Sequence, residues 1–345
     1  MRGIETLWRR VTFLLISFQV VIYESHLALA FSQSTHEHFG TSRSRNEHVS
    51  LHAHSNHRRT ALVTGSTDGI GLTTAKNLAA KGFNVILHGR DPRRIQTALD
   101  TVTSFVSHQN TDMPELYSIH ADISTIDGCH SFIQKVHDLF DKENGNPTHL
   151  DSLDILLHNA GVFEPNHVLT KDGLEMTFAV NVMAPFVITS NLLSILLPKD
   201  VHDIESQSKS KPLQKRIIVT SSMSQCGPMG DSQWKDLQCH ERPFSTHRTY
   251  SESKYMDALL AAEMATRLED TSLGGGVDRI TCNSLDPGTV NTKMLLAGWG
   301  PCGIDVEDAL GKILFLDGCL LLVPYLYEGV VNILNVIVFF LLFSR

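Results

Sequence analysis

The chain has 345 residues, 42% hydrophobic and 19% charged, which is enough apolar material for one large folded domain. A net charge of −8, with no basic stripe interleaved with aromatics, excludes nucleic acid as a partner. The six cysteines (Cys129, Cys226, Cys239, Cys282, Cys302 and Cys319) show no C-x-x-C pair and no metal-ligand spacing, so they read as scattered thiols, with no metal site.

Residues 1–30 stand apart. A basic start ends at Arg9-Arg10, an uncharged run of thirteen residues follows over 11–23, and Ala28-Leu29-Ala30 places small residues at the −3 and −1 positions of a cleavage site. This is the anatomy of a signal peptide, or of a signal anchor if it is retained. Thirteen residues fall short of the ~20 that span a bilayer as a helix. Residues 31–58 are a Ser/His/Arg-rich linker or transit segment that opens on Phe31. The expectation is entry into the secretory pathway, with the endoplasmic reticulum membrane favoured. The alternative is a plastid, because a signal peptide followed by Phe and a Ser/Arg-rich stretch resembles the two-part address of algae with complex plastids.

The domain spans 59–310. Residues 60–64 form a short β-rich run that leads into Gly65-Ser66-Thr67-Asp68-Gly69-Ile70-Gly71 and a helical pattern to residue 81. A strand, a glycine-rich turn and a helix make a phosphate cradle, in which backbone N–H groups approach a pyrophosphate at the positive helix end. A second strand covers 83–87 and is followed by His88-Gly89-Arg90-Asp91, with Pro92 at a helix start. In NAD-selective sites an acid at the end of this strand takes the ribose hydroxyls. Here that position is Gly89, and the adjacent Arg90 suits a 2′-phosphate, so NADP(H) is favoured and NAD(H) is the alternative. Strand three covers 115–121 and ends at Asp122, a helix covers 125–140, and a polar loop occupies 141–152. Strand four, 153–157, runs into Asn159-Ala160-Gly161. A helix over 173–197 is apolar nearly all round, with Asn181 and Pro185 inside, which predicts burial against the sheet and a partner subunit in a homodimer rather than a membrane span. Strand five, 216–220, closes on Ser221-Ser222, and strand six, 279–285, ends at Asp286-Pro287-Gly288. Alternating strands and helices with motifs at strand C-termini describe an α/β doubly wound parallel sheet of Rossmann type.

Between the last two strands a helix over about 251–268 begins beside Tyr250, and Lys254 lies four residues on. Residues four apart share a helix face, so phenol and ammonium point into one space. A nearby positive charge favours the phenolate, which makes Tyr250 a general acid/base for an alcohol oxygen.

The glycine-rich turn, Asn159-Ala160-Gly161, Ser222, Tyr250-x-x-x-Lys254 and Pro287-Gly288, in this order, resemble the short-chain dehydrogenase/reductase family. The long interval from Ser222 to Tyr250, with Trp234-Lys235-Asp236-Leu237-Gln238, resembles the insertion of its retinol-dehydrogenase-like branch, whose members act on lipid-like alcohols and carbonyls. The resemblance implies these roles. Tyr250 exchanges the proton, while Lys254 assists it and holds the nicotinamide ribose. Ser222, preferred to Ser221 as the second serine, hydrogen-bonds the reacting oxygen. Asn181 relays protons through water. Gly65, Gly69 and Gly71 cradle phosphate, Ser66, Thr67, Asp68 and Ile70 of the same turn bind the cofactor, and Asp122 meets the adenine. Asn159, Ala160, Gly161, Pro287, Gly288 and Val290 line the cofactor.

The chain departs from that family after residue 310. Residues 311–345 are strongly apolar, broken by Pro324 and Glu328, and contain no alternating strand pattern. They read as a membrane segment, embedded or tilted rather than a regular crossing helix. The expected function is an NADP(H)-dependent alcohol dehydrogenase/carbonyl reductase with a hydrophobic small-molecule substrate. The alternative is a dinucleotide-binding or membrane-tethered scaffold without turnover.

Overall fold

The computed structural model describes residues 58–109, 112–141, 150–196, 215–270 and 280–306. The expectations for the signal segment, the Ser/His/Arg-rich segment and the apolar tail fall outside these residues.

Six strands form one parallel sheet: β1 (Thr60–Val63), β2 (Asn84–Gly89), β3 (Leu116–His120), β4 (Ile155–His158), β5 (Lys215–Thr220) and β6 (Ile280–Leu285). Their spatial order is β3-β2-β1-β4-β5-β6, so the chain winds outward from β1 to one edge, then returns and winds to the other. The crevice at that reversal, between the C-terminal ends of β1 and β4, is where doubly wound sheets bind ligands. In register, Leu62 pairs with Ile86 on one side and Leu156 on the other, and Leu156 pairs in turn with Ile217. These four belong to one core layer, while Ala61, Val63, Val85, Leu87, Ile155, Leu157 and Ile218 belong to the opposite layer. The period-2 alternation of side chains thus places an apolar surface on both faces of the sheet, and both need helices to cover them.

One face is covered by α1 (Gly69–Ala80) and α2 (Pro92–Ser107). Asp91 caps α2 by accepting from the N–H groups of Arg93 and Arg94, with Pro92 at the first helical position. The other face carries α3 (Ile126–Phe140), capped by Thr125, then α4 (Met176–Leu196) and, beyond the five-residue α5 (Asp231–Lys235), the long α6 (Thr246–Asp270). Helix α7 (Lys293–Trp299) follows β6.

By length and composition α4 could cross a membrane, but 89% of its apolar window is buried within the chain. The sheet, α3 and α6 cover it, as the all-round apolar pattern leads one to expect of a buried helix. The helix is also interrupted by a π turn, Ala179–Met183, centred on Asn181. Helix α6 starts five residues earlier than its apolar pattern suggests, which places Tyr250 in the second turn. The first turn is held by tertiary contacts, with His247 packed edge-on against Phe163 and Trp299, rather than by apolar periodicity.

Candidate active site

The C-terminal ends of the strands open onto a groove of about 730 Å³, within the range of small-molecule and cofactor sites. Its floor is the turn between β1 and α1. Gly65 has φ +64°, and a Cβ there would stand 2.8 Å from the Ala160 Cα. A Cβ at Gly71 would fall 2.3 Å from the Gly65 carbonyl oxygen and 2.4 Å from Asn159 Nδ2. Only glycine permits this packing, so the turn is pressed against the 159–161 segment and its backbone is bare toward the groove. Asn159 ties the two together, its Nδ2 donating to the carbonyls of Thr64 and Gly65 at 3.1 Å each. The cradle therefore fits a dinucleotide pyrophosphate, which needs close backbone approach at a helix N-terminus.

His88 supports the same turn from below. Its Nδ1 accepts from the Gly65 N–H at 3.1 Å, which leaves Nε2 to donate to the Ala121 carbonyl at 3.2 Å. Burial lowers its pKa to about 4, so the ring stays neutral and holds this tautomer. Ser66 also faces this support. Its Oγ accepts from the His88 N–H at 2.8 Å and the residue is fully buried, so it does not line the groove, contrary to the sequence expectation. Thr67, Asp68, Gly69 and Ile70 do line it, as do Asp122, Ala160, Gly161, Pro287, Gly288 and Val290.

At the β2 end a Cβ on Gly89 would stand 2.5 Å from Thr67 Cγ2 and 3.1 Å from Ile95 Cγ1. A side chain there would have to displace those of Thr67 and Ile95, and the sequence supplies no acid at that position. Arg90 is exposed at the groove rim, with Arg94 beside it. Arg94 is engaged: its Nη2 lies 3.1 Å from Asp68 Oδ2, which Lys293 at the start of α7 also pairs with. Asp68 caps α1 as well, accepting from the Gly69 N–H at 2.8 Å. Lys293 first, then the cap bond and Arg94, hold the Asp68 carboxyl below the usual range against a partial burial that opposes them.

Tyr250, Lys254 and Ser222 share the wall nearer β5. Lys254 is buried, its Nζ donating to the Thr220 carbonyl at 2.8 Å and to Asp257 Oδ2 at 2.9 Å, and lying 5.7 Å from the Tyr250 ring centroid. Ser221 turns away and donates to the Lys254 carbonyl at 2.7 Å, whereas the Ser222 hydroxyl pairs with Ser224 Oγ at 2.7 Å. Asn181 sits one layer behind the wall. Its Oδ1 accepts from the Val162 N–H at 2.8 Å and its Nδ2 donates to Ser253 Oγ at 2.9 Å. A Cβ on Gly161 would lie 3.4 Å from Asn181 Oδ1 and 3.7 Å from Lys254 Nζ, so both groups reach the same small volume.

The cover over Tyr250 is apolar. Its ring meets Phe163 at 5.5 Å and Trp299 at 5.8 Å, while Met294 and Leu295 line the groove from α7. The insertion between Ser222 and α6 packs below through Arg242, whose guanidinium binds both Glu252 oxygens at 2.7 and 2.8 Å. Sequence reasoning missed Asp257, His88, the Asp68–Arg94–Lys293 cluster and the aromatic cover. Asp257 had a readable signal, being an acid one turn beyond Lys254 in a helix; the others join segments far apart in the chain.

A sequence profile described as short chain dehydrogenase matches residues 59–226. Human retinol dehydrogenase 13 is 30% identical over 236 residues, covering 68% of this chain and 60% of that protein. Human polyprenol dehydrogenase is 29% identical over 236 residues, covering 68% and 62%. The chain thus spans less than two thirds of the length of these relatives. A crystal structure of an uncharacterized protein from Mycobacterium paratuberculosis shares the fold, with a TM-score of 0.54, 23% identity and 75% of each chain covered. Sheet order, the succession of motifs and the sequence match agree: the chain belongs to the short-chain dehydrogenase/reductase family. Within it, its relatives place it in the retinol-dehydrogenase-like branch.

Proposed function

We propose that the protein is an NADP(H)-dependent oxidoreductase that interconverts a hydrophobic, lipid-like alcohol and its aldehyde or ketone. The observation that carries this reading is the set of Tyr250, Lys254 and Ser222 on one groove wall under a cover of Phe163, Met294, Leu295 and Trp299. The polar atoms suit one oxygen, and the rest of the surface suits hydrocarbon. Relatives named for retinol and polyprenol support the substrate class.

When bound, NADP(H) supplies or takes up the hydride. In reduction the Tyr250 hydroxyl donates its proton to the carbonyl oxygen as that oxygen gains charge, and the Ser222 hydroxyl donates a hydrogen bond to the same atom. The Lys254 ammonium stabilises the phenolate left behind. Oxidation runs the same steps backwards, with Tyr250 accepting the alcohol proton. Asn181, facing Lys254 across Gly161, is suited to holding a water that returns the proton from solvent. Arg90 would hold the 2′-phosphate, and Gly89 supplies no carboxylate for the ribose clamp that an NAD-selective site uses.

The apolar residues 311–345 attach the protein to a membrane, with the endoplasmic reticulum favoured and a plastid membrane as the alternative. The deciding experiment incubates the detergent-solubilised full chain with NADPH or NADH and a panel of lipid aldehydes. Cofactor oxidation that depends on the aldehyde supports the enzyme. Cofactor binding without oxidation across the panel refutes it in favour of a scaffold.

A further inference from the structure

Asp257 lies one helical turn beyond Lys254 on α6, and its side chain is 1% exposed. One carboxylate oxygen, Oδ2, meets Lys254 Nζ at 2.9 Å; the other, Oδ1, is buried with no hydrogen-bond partner among the described residues. A buried carboxylate with an open acceptor is a standing cost to folding, which an apolar side chain would avoid. The groups around it show what the charge faces. Helix α6 packs against β5, β6 and α4. Helix α4 carries no titratable side chain. Strand β6 contributes the Cys282 thiol, which burial pushes up to about 12 and so keeps neutral. Lys215 and Arg216 stand at the opposite end of β5 from Thr220, and Lys254 is the charge that acts on the Asp257 carboxyl against its burial. On its own helix Glu252 is bound to Arg242, which leaves Lys254 as the charge that Asp257 meets.

We propose that Asp257 is a positioning residue of the site: its carboxylate keeps the buried Lys254 ammonium charged and fixes it between the Thr220 carbonyl and the Tyr250 ring. The inference rests on the role proposed above for Lys254. Burial alone favours a neutral amine. In this protein burial presses hardest on Lys254, but the Asp257 carboxylate, with Tyr250 adding to it, holds the lysine above its ordinary value. Burial raises Asp257 itself to about 7, so the pairing is complete only above neutral pH. The third point of the arrangement, the Thr220 carbonyl, then sets the direction of Nζ at the end of β5.

The test compares the wild-type protein with Asp257→Asn, which keeps the shape of the side chain and removes its charge. From pH 6 to pH 9, kcat for aldehyde reduction, the Kd for NADPH by fluorescence and the thermal midpoint are measured. The deficit of the variant in kcat and in NADPH affinity is expected to grow at least ~10-fold between those limits, as its Lys254 loses charge. A deficit that is the same at both ends, or confined to the thermal midpoint, overturns the proposal, because a packing role has no such pH dependence. If the variant does not fold, the wild-type protein labelled with ε-13C lysine decides the matter. The Lys254 signal, assigned through Lys254→Arg, should keep its ammonium shift to pH 9; an amine that titrates below this overturns the proposal. Affinity and resonance need no turnover, so a wild-type protein that reduces no aldehyde would refute the enzyme reading while these two readouts still decide the role of Asp257.

Discussion

Cofactor choice follows from the end of β2, and Arg90→Ala is the perturbation that tests it. Gly89 occupies the position where a carboxylate would hold the ribose hydroxyls, and a Cβ there would already stand 2.5 Å from Thr67. The site therefore has no acid to read an unphosphorylated ribose at that point. What it offers is a guanidinium at the rim and a second one, Arg94, held at 3.1 Å by Asp68. For Arg94 to bind a phosphate it must share or break that pair, whereas Arg90 keeps its own orientation. A charge-assisted hydrogen bond contributes about 1.5–3 kcal/mol, and Arg90 is exposed, so the lower half of that range applies. Arg90→Ala should weaken NADPH about 10- to 40-fold and leave NADH within about twofold. Arg94→Ala should cost NADPH less, because its charge is already partly spent on Asp68. Titration of both cofactors by fluorescence against wild type and the two variants reads this directly. Equal losses for NADPH and NADH in Arg90→Ala would refute the reasoning.

Trp299→Ala opens the cover over Tyr250 and should raise KM for a long-chain aldehyde about tenfold while moving the NADPH Kd by less than about threefold; a change in kcat alone would place Trp299 elsewhere in the cycle. His158 is wholly buried, with Nε2 at 2.7 Å from Thr189 Oγ1, and burial depresses its pKa to about 3. Its folded pKa lies below the unfolded value of 6.5, so its contribution is present above pH 6.5 and is lost as pH falls. The stability gap between wild type and His158→Gln should therefore shrink by about 2 kcal/mol between pH 7.5 and pH 5 in urea titrations, and a gap independent of pH would contradict this. Deleting residues 311–345 from a chain that also lacks residues 1–58 should move the protein from the membrane pellet to the supernatant; a full tail that is equally soluble without detergent would end the membrane reading.

The sheet was legible because each strand is a short apolar run closed by a motif that breaks it. Gly65, Asp122, Asn159, Ser221 and Asp286 all follow strand ends, and the βαβ alternation then leaves only a parallel sheet. Strand ends moved by one or two residues, as at β4, where Leu153 reads as strand but pairing begins at Ile155. Short-range rules also placed Tyr250 and Lys254 together, because helix spacing is local. The apolar pattern of α4 announces a buried helix, yet composition cannot say how much of an all-apolar helix is covered by its own chain. The place of Ser66 in the glycine-rich turn suggests a cofactor contact, but the direction of its hydroxyl depends on His88, 22 residues on. The Asp68–Lys293 pair spans 225 residues, and no local pattern encodes it. Nor does any periodicity bring Phe163, Tyr250 and Trp299 into one aromatic cover, since they come from three separate segments that meet only once the sheet has formed.

The central claim is that the Tyr250 hydroxyl transfers the proton. Tyr250→Phe removes that oxygen and keeps the ring that packs against Phe163 and Trp299. Single-turnover oxidation of NADPH by a saturating lipid aldehyde, measured beside the NADPH Kd, tests it most directly. The rate should fall at least ~10²-fold with the Kd within about threefold of wild type. Turnover at the wild-type rate in Tyr250→Phe would contradict the assignment.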